Sequence, residues 1–183
     1  MIAGKPSLTP GGSRLDRMIA RLTAQRVCLE AAVAEVAGLP GPMIELGLGK
    51  GRTYDHLRRL APEREIIVFE KLLHAPPECT PDAGDLIMGD FRETWSAAVE
   101  RVGAGAVLAH ADIGSHDLEA DAALAAEIAP LLDRLLRPGA VVLCDRAMQV
   151  ARWRPLPLPE AACGWPYHYY RVTDDSAADR PYL

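Results

Sequence analysis

GPMIELGLGKGRTYDHL, residues 41–57, sets a short apolar run against three glycines at every second position, Gly47, Gly49 and Gly51, and places an acid, Glu45, two residues before the first. A strand that turns at once into a helix over glycines lets the backbone approach a ligand closely and points free N–H groups at it. Spacing separates the ligands that use this device. A phosphate-binding P-loop needs G-x-x-x-x-G-K-[ST], which is absent. A dinucleotide fingerprint needs a glycine at the sixth position, where counting from Gly47 finds Arg52. An acid beside a pyrophosphate would also repel it.

Downstream, the pattern is of short apolar runs separated by helical or loop segments. Strands are expected over Met43–Leu46, Ile66–Phe69, Leu86–Met88, Val107–Ala111 and Ala140–Cys144. These runs lack strict alternation, so both faces should be buried, as in a parallel sheet with helices on either side. Leu124, Ile128, Leu131, Leu132 and Leu135 form a helical stripe closed by LLRPGA, and Pro130 is expected to kink that helix or start a new one. Three prolines in HAPPECTPD argue for a loop in place of the crossover helix after the second strand. A Pro-rich run, RWRPLPLPE, precedes YHYYRV, which reads as one late strand.

Upstream, Ser13 and Asp16 resemble a capping box at the head of a helix expected over 14–38, behind a flexible tail over 1–12. Leu15, Met18, Ile19, Leu22, Leu29, Val33 and Val36 form its apolar stripe, and Gln25 and Arg26 interrupt it. Arg26 either reaches out to solvent or one structural acid, or lines the ligand cavity with Gln25.

The length of 183 residues suits one domain with a sizeable core, expected over 1–183. Acids outnumber bases, 25 to 20, for a net charge of −5, and no Lys/Arg cluster is interleaved with aromatics, which argues against nucleic acid as substrate. Cys28, Cys79, Cys144 and Cys163 form no C-x-x-C pair, so neither a zinc ribbon nor a disulfide scaffold is expected. Without a signal peptide or a long apolar run, no membrane association and a reduced, cytoplasmic location are expected.

Glu45-x-Gly47-x-Gly49-x-Gly51 resembles motif I of class I S-adenosylmethionine (SAM)-dependent methyltransferases, whose ligand carries a sulfonium and an amino acid but no phosphate. The Glu45 charge suits those positive centres. The resemblance runs on in order over roughly residues 41–146. IIVFEK ends in Glu70, where the family places an acid that accepts both ribose hydroxyls; LIMGDF offers Asp90 for the adenine amino group with Phe91 as a stacking ring; LLRPGAVVLCD matches the Pro-Gly turn into the fifth strand. Read alone, Glu70 could be a solvated strand end and Asp90 a helix N-cap. The resemblance implies a three-layer, doubly wound, mostly parallel α/β sheet of Rossmann-like methyltransferase type, with an N-terminal helix and a shortened C-terminal strand region. It implies SAM as cofactor, with contacts from Glu45, Gly47, Leu48, Gly49, Gly51, Arg52, Thr53, Glu70, Lys71, Asp90, Phe91 and Asp112, and from Arg26 if that side chain faces the cavity.

Methyl transfer requires a positioned nucleophile and, for a hydroxyl or ammonium, removal of its proton. AHADIGSHD, residues 109–117, puts His110, Asp112 and His116 beside the expected methyl group. His116 is the first choice as base, because imidazole titrates near neutrality; alternatively His116 and Asp117 cap the following helix. Catechol-type O-methyltransferases hold Mg²⁺ with a D-A-D and an Asp-Asn pair, which here read His110-Ala111-Asp112 and Asp145-Arg146, a donor set poorly suited to that ion, so no metal is expected. The Asn/Asp-Pro-Pro-aromatic motif of nucleic-acid amino-methyltransferases is missing, which favours a small-molecule acceptor. A lid must come from the N-terminal helix, the Pro-rich tail or a neighbouring subunit of a homo-oligomer. Trp153, Trp165, Tyr167, Tyr169 and Tyr170 are candidates for that lid, for a dimer contact or for ordinary packing. The rival function is a SAM-binding sensor or partner subunit without turnover.

Overall fold

The computed structural model of the protein describes residues 12–115 and 117–174. The chain runs α1 (Arg14–Glu35), β1 (Met43–Leu46), α2 (Arg52–Leu60), β2 (Ile66–Glu70), β3 (Leu86–Met88), α3 (Phe91–Val102), β4 (Ala106–Ala111), α4 (Leu118–Asp133), β5 (Leu136–Cys144), β6 (Trp153–Pro155) and β7 (His168–Val172). The strands make one sheet in the order β3-β2-β1-β4-β5-β7-β6. Five are parallel, and β7 and β6 close the sheet antiparallel. The direction of winding reverses between β1 and β4, which pair directly from Met43↔Leu108 to Leu46↔Ala111. At such a reversal the loops at the carboxyl ends diverge and leave a crevice.

Every residue of β1 and β4 is buried, because helices cover both faces. One core packs α3 and α4 against Ile44, Leu46, Ile67, Phe69 and Val142; the other packs α1 and α2 against Met43, Val68, Leu108, Val141 and Leu143. Together they give the three expected layers. The segment after β2 holds only a short 3₁₀ turn, Pro77–Cys79, as its prolines suggested.

Four expectations need correction. The first helix ends at Glu35, three residues early, and only its second half is buried, through Ala24, Gln25, Cys28, Leu29 and Ala32. Leu15, Met18, Ile19 and Leu22 are exposed, because the amino half of α1 extends past the sheet. Pro130 does not start a new helix: α4 is one helix from Leu118 to Asp133. Pairing in β5 begins at Leu136, before the Pro-Gly pair, and a register shift between Ala106↔Leu136 and Leu108↔Val141 takes up the intervening residues. Finally, the Pro-rich run contributes β6, an edge strand where a missing N–H is tolerated. The capping box at Ser13 and Asp16 is present, and the tail over residues 1–11 lies outside the described residues.

Candidate functional site

Two cavities open at the carboxyl ends of the strands, on either side of the glycine loop. The larger, about 320 Å³, lies over β1, β2 and β3 and is lined by Gly47, Gly49, Glu70, Lys71, Asp90 and Phe91 among others. The smaller, about 230 Å³, lies between the amino half of α1 and the loop, with Met18, Arg21, Leu22, Gln25, Lys50, Arg52 and Thr53 in its wall. Gly47, Gly49, Asp112 and Gly114 border both. The exposed half of α1 is therefore a roof over the smaller cavity.

The three loop glycines all have positive φ, but they do different work. A Cβ on Gly47 would stand 2.9 Å from the Asp112 carbonyl, and one on Gly51 would stand 2.4 Å from the Cys79 carbonyl, so those two permit close backbone packing. A Cβ on Gly49 would meet nothing within 4 Å, because it would project into the open cleft.

Glu70, the last residue of β2, accepts from the Gly49 N–H at 2.8 Å through Oε2 and from the Lys71 and Leu72 N–H groups at 2.7 and 3.0 Å through Oε1. It remains part-exposed in the cavity wall, with one acceptor position of Oε2 uncommitted. Asp90 caps α3 by accepting from the Arg92 N–H, as its alternative reading proposed, and it also lines the cavity. The Arg92 side chain, with lesser help from the Arg92 N–H and Lys71, outweighs desolvation and holds its carboxyl well below the usual range. Phe91 stands edge-on to Phe69 at 4.9 Å and to Trp95 at 5.8 Å, which fixes the ring at the cavity wall.

Asp112 follows β4. Its Oδ2 accepts from Arg21 Nη2 and Gln25 Nε2, both at 2.5 Å, while Oδ1 is buried without a hydrogen-bond partner. Beside it, at the end of β5, Asp145 also has a buried and unpartnered Oδ1. Burial first, and the neighbouring Asp112 charge second, push the Asp145 carboxyl up to about 6, against the opposing pull of Arg146. Arg146 lies 3.1 Å from Asp145 Oδ2 and donates to Asp121 Oδ2 at 2.7 Å. Buried Asp121 in turn accepts from the Ser115 N–H and hydroxyl, and so anchors the segment that leaves β4. Asp121 gave no motif signal, since its link to Arg146 spans 25 positions, and Arg146 was read only as the replacement for the Asn of a metal-holding pair.

Several candidates stand elsewhere than the sequence suggested. Arg26 lines neither cavity; its side chain is 63 % exposed and lies 4.0 Å from Glu30. The polar pair that reaches the site from α1 is instead Arg21 and Gln25, one helical turn apart. Glu45 is fully buried beneath the loop, where it accepts from Thr53 Oγ1 at 2.5 Å and meets His110 Nδ1 at 2.9 Å, so its carboxylate does not face a ligand. His110 is likewise fully buried, with Nε2 hydrogen-bonded to the Tyr167 hydroxyl, and cannot reach an acceptor in the cleft. Burial opposes its charged form, but the Glu45 carboxylate outweighs that and raises its pKa above 6.5. His116 lies outside the described residues; its neighbour Asp117 accepts from the Glu119 and Ala120 N–H groups and caps α4. Leu48 is buried and Arg52 exposed at the rim of the smaller cavity. The aromatic tail mostly packs inward: Trp153 Nε1 donates to Asp133, the Tyr169 hydroxyl donates to Glu35, and Tyr167 is 5 % exposed. Among the described residues, no group of three or more His, Cys, Asp and Glu side chains is placed to hold a metal ion, and no helix is long and apolar enough to cross a membrane.

Over residues 12–172 the chain matches the model of a family described as S-adenosyl-L-methionine methyltransferase. Among solved structures it is similar to an S-adenosyl-L-methionine methyl transferase from Silicibacter pomeroyi, at 45 % identity over 88 % of this chain and 99 % of that one, with a TM-score of 0.83. Two more distant structures share the fold, both at 17 % identity and a TM-score of 0.51. One is an RNA methyltransferase from Salinibacter ruber in complex with S-adenosyl-L-homocysteine, covering 93 % of each chain. The other is fibrillarin from Aeropyrum pernix with natively bound S-adenosyl-L-methionine, covering 81 % of this chain and 76 % of that one. No curated protein matches the chain.

Proposed function

The chain belongs to the S-adenosyl-L-methionine methyltransferase family, and from that premise we propose that it methylates a small-molecule acceptor seated under α1. The cofactor is SAM, which when bound supplies an electrophilic methyl group on a sulfonium. The residues present fit it. Gly49 leaves open the space a ligand needs, and the buried Asp112 Oδ1 offers an unpartnered acceptor at the junction of the two cavities.

In this reading the larger cavity takes the nucleoside. Glu70 accepts from the ribose hydroxyls, Phe91 bears on the adenine face and Asp90 on its amino group. Asp112 meets the positive end of the cofactor, with Arg21 and Gln25 holding its carboxylate in place. Met18 and Leu22 on the roof give the acceptor an apolar wall, so binding excludes water and aligns the nucleophile for in-line attack. His116, in the segment that leaves β4, is the proposed base.

The observation that carries the proposal is the pair of joined cavities, one with the acid and ring for a nucleoside and the other roofed by α1. A 230 Å³ chamber suits a small molecule better than a nucleic-acid strand, and the net charge of −5 points the same way. The test is release of S-adenosylhomocysteine (SAH) from SAM in the presence of fractionated small metabolites. Turnover by the wild-type protein, with SAM affinity weakened on the order of tenfold in Glu70→Ala, supports the reading. SAM binding with no turnover on any fraction would favour a sensor, and turnover on RNA alone would overturn the acceptor class.

A further inference from the structure

A buried polar chain crosses the sheet beneath the glycine loop and touches neither cavity except at one end. Thr53 Oγ1 donates to Glu45 Oε1 at 2.5 Å, Glu45 Oε2 meets His110 Nδ1 at 2.9 Å, and His110 Nε2 meets the Tyr167 hydroxyl. Glu45 and His110 are fully buried and Tyr167 nearly so. The chain thus connects the first turn of α2, two central strands and the segment that enters β7. With His110 neutral, the contacts are satisfied when Thr53 and the His110 Nδ1–H donate to the carboxylate and Tyr167 donates to Nε2; with His110 protonated, Nε2–H donates to Tyr167 and the link to Glu45 is the same.

Apolar side chains of equal volume would serve stability as well as this network does, since the charge of Glu45 must be desolvated to build it. Geometry is what the network specifies. With both Glu45 oxygens occupied, the carboxylate has one rotation, and that rotation fixes Thr53 in the first turn of α2. The turn is continuous with the loop, which closes through the Gly51 N–H to Leu48 at 2.7 Å and the Asp55 N–H to Gly51 at 2.9 Å.

We propose that Tyr167, His110 and Glu45 are positioning residues for SAM binding, acting on the glycine loop through Thr53 and touching neither cofactor nor acceptor. The inference rests on the reading of that loop as the SAM site. It gives the C-terminal segment, remote in sequence from the loop, a part in setting cofactor affinity.

SAH titration by calorimetry tests it on the full-length protein. Thr53→Val should weaken SAH binding on the order of tenfold with a melting temperature within a few degrees of wild type, and Thr53→Ser should restore it. Tyr167→Phe should weaken binding severalfold from the far end of the chain. Combined with Thr53→Val it should add nothing, because the link through which Tyr167 acts is already cut. Wild-type affinity in Tyr167→Phe, or two effects that multiply, overturns the proposal. Should Tyr167→Phe not fold, unchanged affinity in Thr53→Val, or no rescue by Thr53→Ser, overturns it instead. Failure of the wild-type protein to bind SAH would remove the loop as the site, whereas normal wild-type binding with indifferent variants removes this inference alone.

Discussion

Gly47, Gly49 and Gly51 share a left-handed backbone, yet only Gly49 has empty space where a side chain would stand. Asparagine tolerates that backbone region better than other residues with a side chain, so substituting it separates sterics from conformation. Gly49→Asn is expected to stay folded and lose SAM binding; Gly51→Asn, driven onto the Cys79 carbonyl, is expected to lower the melting temperature by about 5 °C or more. Thermal melts with and without SAH distinguish the two. The motif spacing was legible in the sequence, but the division of labour among its glycines was not, because it depends on what approaches from other elements. The same holds for the acids. Glu45 reads as a ligand group in one dimension and is a buried support in three, and Arg26 gives way to Arg21, which reaches Asp112 across 91 positions. Asp145 adds a pH dependence. Its folded pKa, raised from 3.8 to about 6, means that its neutral form is favoured, so its contribution to stability is full below pH ~4 and lost as pH rises through about 6. Asp145→Asn, permanently neutral, should therefore raise ligand-free stability by on the order of 1–3 kcal/mol at pH 7.5 and little at pH 4, measured by urea denaturation at both. An equal effect at both pH values would contradict the assignment.

At the scale of elements, the parallel strands could be read because burial on both faces makes them continuous apolar runs bounded by turns. β6 could not, since its partner is an antiparallel strand that follows it by more than ten residues and its own three residues include a proline. In α1 the periodicity of Leu15, Met18, Ile19 and Leu22 was real, but periodicity says which residues share a face and not whether anything covers it. Those at the cleft, Met18 and Leu22, wall the smaller cavity. α4 shows the opposite failure, a breaker that does not break. Pro130 sits inside a continuous helix held by Ile128, Ala129 and Leu132 in the core, so packing outweighs the lost hydrogen bond and the ring clash. Because that cost is borne locally, Pro130→Ala should stabilise the protein by about 1 kcal/mol or more, seen as a higher urea midpoint at unchanged slope. No gain, or a loss, would mean that the helix is already shaped around the ring.

For the molecule as a whole, the winding of the sheet explains why residues so far apart meet. Reversal between β1 and β4 opens the crevice, parallel neighbours deliver Glu70, Asp112 and Asp145 to one edge, and α1 folds back over it. Two-stranded closure by β7 and β6 brings Tyr167 to His110 and ties the end of the chain to its middle. Family membership accounts for the cofactor, while the small-molecule acceptor is the proposal that the roofed chamber supports. The measurement that bears most directly on the central claim is a crystal structure of the protein with SAH. Ribose hydroxyls are expected within hydrogen-bond distance of Glu70, with adenine against Phe91 and the amino-acid end at Asp112 beside Gly49. SAH bound elsewhere, or lying in the cleft with no contact to Glu70, would contradict it.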